Sequence, residues 1–312
     1  MAAFNLTTSE TSTFILMGIP GLETAHMWIS IPLFIFYVIG LLGNLSLLYV
    51  ISNEQTLNKP MYLLLRMLAL TEIGTSTCVV PKAMWIFWFN LKDITMSGCL
   101  TQTFFFHMGS VMHSAVLLTM SFDRYVAICN PLRYTTIITN ARIAKLGLVG
   151  LIRAVLCILP MPLLLQRLPF CANHIIPHTY CDHMSVAKTS CGDITVNRMY
   201  GLVITFLVYG LDLIFIALSY SLIFRAVFII SSKKAHQKAL NTCTAHISVM
   251  LMSYPPGFVS AVLHRFSQGI APYIHIILAN LYFLIPPMLN PIVYGVKNKE
   301  LRDKVCKYTC GR

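Results

Sequence analysis

Few residues in this sequence have chemistry to offer, and most of those are embedded in apolar runs. Glu72 lies within "LRMLALTEIGTSTCVV", His107 and His113 within "TFFFHMGSVMHSAVLL", and Asp123 and Arg124 within "TMSFDRYVAIC". Arg265 closes "HISVMLMSYPPGFVSAVLHRF". Charge in such surroundings is costly and usually marks a functional pair or pathway. A guanidinium is a planar fork of donors that stays charged when partly desolvated, so it pairs well with carboxylates and phosphates. Two readings are open for Arg265 from the residues alone: it reaches a lipid headgroup, or it pairs with an acid such as Asp182 or Asp193. His174, His178, Cys181 and His183 have metal-ligand chemistry, but a cysteine held in a disulfide is no thiolate ligand, so neither metal nor cofactor is expected. The sequence contains no HExxH, GxSxG, P-loop or GxGxxG motif, which leaves enzymatic chemistry without support.

The elements that must position these groups follow from composition. The 312 residues are 56% hydrophobic and 11% charged, against roughly 25% charged in ordinary soluble domains. Such a chain cannot clothe a soluble surface, and a membrane protein is expected. Stretches of about 20 apolar residues suffice to cross a bilayer. Seven occur, near Met27–Ile51, Met61–Phe89, Cys99–Cys129, Ala144–Leu164, Tyr200–Ile230, Ala239–His264 and Tyr273–Tyr294. The expected fold is all-α, a seven-transmembrane helix bundle. Residues 1–26 precede it, a long connection covers 165–199, and 295–312 form an amphipathic tail. The polar N-terminus does not read as a cleavable signal peptide, so the first span would serve as the targeting signal.

Orientation is read from Lys and Arg in short loops. Lys59, Arg133, Arg142, Lys145, Lys233, Lys234, Lys238 and the basic tail fall on one side, which is then cytoplasmic, with the N-terminus outside. The formal net charge of +12 becomes a rim facing anionic lipid. No basic arm with interleaved aromatics points to nucleic acid. Asn5-Leu6-Thr7 is a glycosylation sequon in the outside segment. Cys99, Cys171, Cys181 and Cys191 also fall outside, and an even number there suggests two disulfides. Four cysteines allow three pairings, and the residues alone do not choose. A transporter, the distant alternative together with a channel, would usually show repeated halves, and none is visible.

"DRYVAICNPLRY" (Asp123–Tyr134) resembles the signature of odorant receptors, a branch of the rhodopsin-like G-protein-coupled receptors. "GN" at Gly43, "PMY" at Pro60, "KALNTCTAHI" at Lys238 and "PPMLNPIVYG" at Pro286 match in order, and the resemblance covers essentially the whole chain. "GIPGLE", "LPFC", "HTYCDHM" and "LHRF" resemble the class I, fish-like branch, nearest to olfactory receptor family 52.

The resemblance implies roles. Arg124 would be held by Asp123 and released on activation, with Tyr125 completing the motif, and Asn290, Pro291 and Tyr294 would form a switch in span seven. Cys99 would pair with Cys181, and Cys171 with Cys191. Arg265 would anchor a ligand carboxylate with help from His107. Phe106, Val111, Ile204, Leu207, Val208, Phe258 and Val262 would supply an apolar pocket of the kind that holds small molecules. The expected ligand is a small volatile molecule, an aliphatic carboxylic acid, with an uncharged odorant or a metabolite as the alternative. The expected partner is a heterotrimeric stimulatory G protein that raises cyclic AMP, and the expected location is the plasma membrane of olfactory cilia. Glu72 occupies the place of a sodium-binding acid, but His113 stands where many class I relatives carry a second acid, so weakened sodium binding is expected. Arg153 has no family role and is expected to reach headgroups or a lipid. Pro255-Pro256-Gly257 must bend span six, as a static kink or as a hinge. Cys306 and Cys310 are open to palmitoylation or unmodified.

Overall fold

The computed structural model describes residues 13–170, 174–229, 233–266 and 272–310, and for 256–266 the backbone alone. Long helices dominate: α1 His26–Asn53, α2 Pro60–Phe89, α3 Met96–Cys129, α4 Asn140–Gln166, α5 Thr195–Ile229, α6 Lys233–Phe266 and α7 Pro272–Lys297, followed by the short α8 Lys299–Cys310. Among the described residues, α1 to α5 and α7 are long and apolar enough to cross a membrane. The seventh, α6, is 34 residues long, about 51 Å of helix at 1.5 Å per residue. The helices outrun the apolar spans because their polar ends continue beyond the hydrocarbon. Trp28, Leu156, Phe215 and Phe228 are more than half exposed on the outer faces. A soluble protein does not carry apolar surface on that scale, and lipid is the medium that covers it.

Local chemistry sets several helix ends. Pro60 opens α2, where a missing N–H costs nothing. The Thr95 side chain accepts from Gly98 N at 3.1 Å and caps α3. Asn90 closes α2 at φ 55°, in the left-handed region that asparagine tolerates. Lys82, which interrupts the second span, sits near that end and donates to the carbonyls of Leu91 (3.0 Å) and Asp93 (2.6 Å).

One end of the bundle is roofed. β1 (Thr13–Leu16) lies between β2 (Asp93–Thr95), to which it is antiparallel, and β3 (Ile175–Ile176), to which it is parallel. Phe14 and Leu16 point inward from β1 and are fully buried. The long connection after α4 tucks beneath this sheet and is tied to α3 by the Cys99–Cys181 disulfide. Cys191 is also disulfide-bonded; Cys171 and Asn5 lie outside the described residues.

The helix α7 seats against α1 through small residues. A Cβ on Gly40 would meet the Pro287 carbonyl at 3.2 Å, and one on Gly43 would meet Pro291 at 3.0 Å. The Asn44 side-chain amide donates to Gly40 O and to Pro287 O, both at 3.0 Å, taking up a carbonyl near three prolines in α7.

At the opposite end α8 is pinned by ion pairs. Lys59 meets Glu300 at 2.8 Å, with Tyr62 donating to the same carboxylate at 2.9 Å. Lys304 meets Glu54 at 2.7 Å. The hydrogen bond from Lys59 holds Glu300 below the usual carboxylate range, and that from Lys304 does the same for Glu54. Depressed carboxylate values give a contribution present above the unfolded pKa and lost as pH falls through the folded one. The protection of the α8 amides, taken as the hydrogen-exchange rate relative to the intrinsic rate at each pH, should therefore fall as pH drops below the ordinary carboxylate range, while α3 amides stay protected. Unchanged α8 protection would count against the pins.

Candidate functional site

Among the described residues, three apolar clusters pack the bundle. One fills the end near α8, one lies beneath the roof, and a smaller one joins α3, α4 and α5 through Val111, Ala154, Ile158 and Val208. Between them lies a cavity whose empty space, mouth included, is about 1210 Å³. Helices α3, α4, α5, α6 and α7 wall it, and the long connection supplies His178, Tyr180, Asp182 and His183.

The roof is held by named bonds. Gln102 of α3 accepts from Cys181 N at 2.8 Å and donates to Cys78 O of α2 at 2.9 Å. Thr103 donates to Cys181 O at 2.9 Å. Asn280 of α7 donates to Thr179 Oγ1 at 3.0 Å. Tyr180 packs on Phe106 and Phe283, with ring centroids 4.9 and 5.5 Å away. Asp182 accepts from Met184 N and Ser185 N, which caps the short helix His183–Ala187. Its other oxygen lies 3.6 Å from His107 Nε2.

His107, Phe106 and Val111 of α3 line the cavity. Leu207 does not. Its side chain is half exposed on the outside of α5, because Thr205–Gly210 form a π-helical turn that inserts a residue and shifts the facing. Ile204, Thr205 and Tyr209 face the cavity instead, while Val208 packs toward α4. Arg265, Phe258 and Val262 lie in the last turns of α6, and their side chains fall outside the described residues. His178, Asp182 and His183 line the cavity from the long connection, whose burial is invisible in the sequence, and Tyr209 and Tyr282 line it from α5 and α7.

The cavity floor rests on a polar network. Ser114 Oγ donates to Asp212 Oδ2 at 2.6 Å and lies 2.8 Å from the Tyr254 hydroxyl. Arg153 of α4 makes a bidentate pair with Asp212 of α5, at 2.7 and 2.8 Å. Arg153 thus does not reach headgroups or a lipid, as its isolation in span four suggested. Asp212, only 1% exposed, is closer and already desolvated. An unassigned base and an unassigned acid in successive spans were the signal available in the sequence; their matching height was not.

Below the floor, Glu72 is buried, hydrogen-bonded by the Asn290 amide and 3.4 Å from His113 Nε2. At the far end Arg124 Nη2 meets Asp123 Oδ2 at 2.9 Å, and the Tyr134 hydroxyl donates to Asp123 Oδ1 at 2.8 Å. Tyr125 packs partly buried against the cluster at that end. Pro291 and Tyr294 continue the α7 face past Asn290, and both are buried.

A seven-helix bundle with an internal cavity under a disulfide-tied loop, and an acid–arginine pair at the other end, has the architecture of a rhodopsin-like membrane receptor. The crystal structure of squid rhodopsin superposes with a TM-score of 0.74 at 16% identity, covering 93% of this chain and 86% of that one, which speaks for the fold. A model of the olfactory receptor family matches residues 33–312. Human olfactory receptor 52N4 is 51% identical over all of this chain and 97% of its own length. Human olfactory receptor 52N5 is 52% identical over 96% and 93%. The chain belongs to the olfactory receptor family. It is a multi-pass membrane protein and a signalling receptor for an odorant acting through a heterotrimeric G protein, not an enzyme.

The network makes a sharp prediction. Removing one member of a desolvated pair costs about 3–5 kcal/mol, whereas replacing both with apolar residues is often neutral. Asp212→Leu alone should lower the melting temperature of the detergent-solubilised receptor markedly, and Arg153→Met with Asp212→Leu should recover most of the loss. Additive losses in the double variant would refute a coupled pair.

Proposed function

We propose that the receptor binds a small aliphatic carboxylic acid in this cavity and signals through a stimulatory G protein to raise cyclic AMP. The observation that carries the reading is His107 in the cavity wall, on the side toward which α6 ends at Phe266. Arg265 stands one residue before that end, and a guanidinium there would give a ligand carboxylate a fixed two-pronged partner. The rest of the wall is largely aromatic and aliphatic, which suits an alkyl tail worth about 0.8 kcal/mol per buried methylene. The Cys171–Cys191 disulfide, the Asn5 glycan, the outside N-terminus and the ciliary plasma membrane belong to the same reading.

The signalling half rests on the far end. Asp123 holds Arg124 there, and its release would free a guanidinium at the opening of a cleft. Leu132, in the short turn Pro131–Arg133 that follows α3, is 98% exposed. We read this exposed apolar side chain as a contact for the G protein.

Asp182 favours a second reading. Its carboxylate lines the cavity within 3.6 Å of His107 and would repel an anionic ligand placed beside it. An uncharged odorant that donates a hydrogen bond to Asp182 avoids that repulsion.

A cyclic AMP assay with straight-chain acids and the matching alcohols separates the two. For the acid reading, wild type responds to acids at lower concentration than to alcohols, and Arg265→Ala raises the acid half-maximal concentration about tenfold or more while sparing the alcohols. Equal potency of acids and alcohols on wild type gives the site to an uncharged ligand.

A further inference from the structure

Beneath the main cavity lies a second, smaller chamber of about 360 Å³ of empty space, mouth included, lined by Glu72, Thr75, Phe283, Pro286 and Pro287. Ser110, His113, Ser253 and Tyr282 line both spaces, so the floor of one is the wall of the other. Glu72 is 2% exposed. Its Oε1 is engaged by the Asn290 amide, but its Oε2 has no hydrogen-bond partner among the described residues. A buried carboxylate oxygen left unpaired is costly and calls for a donor. Tyr282, on the shared wall, brings a hydroxyl-bearing side chain to both spaces.

We infer that this chamber is a second subsite of the ligand cavity, which takes a hydroxyl at the tail end of an aliphatic ligand. The hydroxyl donates to Glu72 Oε2 and accepts from the Tyr282 hydroxyl. His113 makes room for this. Its Nε2 lies 3.4 Å from Glu72 Oε1, on one side of the carboxyl group, and leaves Oε2 to a neutral donor. The inference rests on the proposed head-group site for its first anchor. From His107 to His113 is six residues of α3, or about 9 Å. At about 1.25 Å of advance per carbon–carbon bond, a straight chain of about eight carbons spans that distance. The ligand class assigned is thus an ω-hydroxy acid of medium length.

The test is a cyclic AMP dose response on the full-length receptor. Three straight-chain acids of that length are compared: unsubstituted, ω-hydroxy and ω-methoxy. The ω-hydroxy acid should act at about tenfold lower concentration than the unsubstituted acid, as one charge-assisted hydrogen bond allows. The ω-methoxy acid, which cannot donate, should gain nothing. In Glu72→Gln and in Tyr282→Phe the ratio of the two potencies within each receptor should shrink toward one, whatever happens to expression or basal signal. The wild-type comparison stands even where a variant fails to reach the surface. Equal potency of the three acids on wild type overturns the inference and leaves the chamber to water or a small ion. Running the same tail series on alcohols keeps the two readings apart. A tail preference that survives without any acid preference sinks the carboxylate anchor alone; an acid preference with no tail preference sinks this subsite alone.

Discussion

Hydrocarbon offers no hydrogen bonds, so every polar group that the chain carries into the bilayer must find its partner inside the bundle. The interior is arranged around that demand. Arg153 and Asp212 satisfy one another across α4 and α5, and Ser114 and Tyr254 add α3 and α6 to the same network. Asn44 takes up the Pro287 carbonyl and so joins α1 to α7. Asn290 joins α7 to Glu72 on α2. Small residues alone would let these helices approach; the polar links select which helix sits beside which, and at what height.

The same demand shapes the cavity. Apolar clusters occupy the two ends and the α3–α4–α5 face, and the polar groups that those clusters exclude gather between them. The connection after α4 enters this region as backbone, which is admissible only where its groups are paired. Gln102 and Thr103 pair the Cys181 N–H and carbonyl, Asn280 ties the Thr179 hydroxyl, and the disulfide holds the segment in place. The result is a roofed space with an apolar wall and a few polar atoms, suited to a small amphipathic molecule. Because Ser114 and Tyr254 belong both to its lining and to the network beneath, a molecule that presses on the floor meets the links between four helices.

Much of this was legible in the sequence. The apolar spans announced the helices, because length and composition decide membrane insertion without tertiary information. The lining candidates on α3 and α5 assumed helices of fixed rise and period, and Phe106, His107 and Val111 do line the cavity. The same reasoning failed for Leu207, since a π-helical turn breaks that period and nothing in "VITFLVYG" declares it. It failed for Arg153, because an ion pair between two helices depends on their relative height and rotation.

What the sequence determined by itself is therefore the set of local and one-dimensional facts: which segments are apolar, where helices start, which charges are out of place, and which family motifs recur. Each of these depends on residues near one another in the chain. The tertiary structure alone decided who satisfies whom. It gave Asp212 to Arg153, set Asp182 beside His107, and left one oxygen of Glu72 open to a chamber below the cavity. Those choices join positions up to hundreds of residues apart, and in a medium without water they are settled by which donor and acceptor the packing brings within about 3 Å.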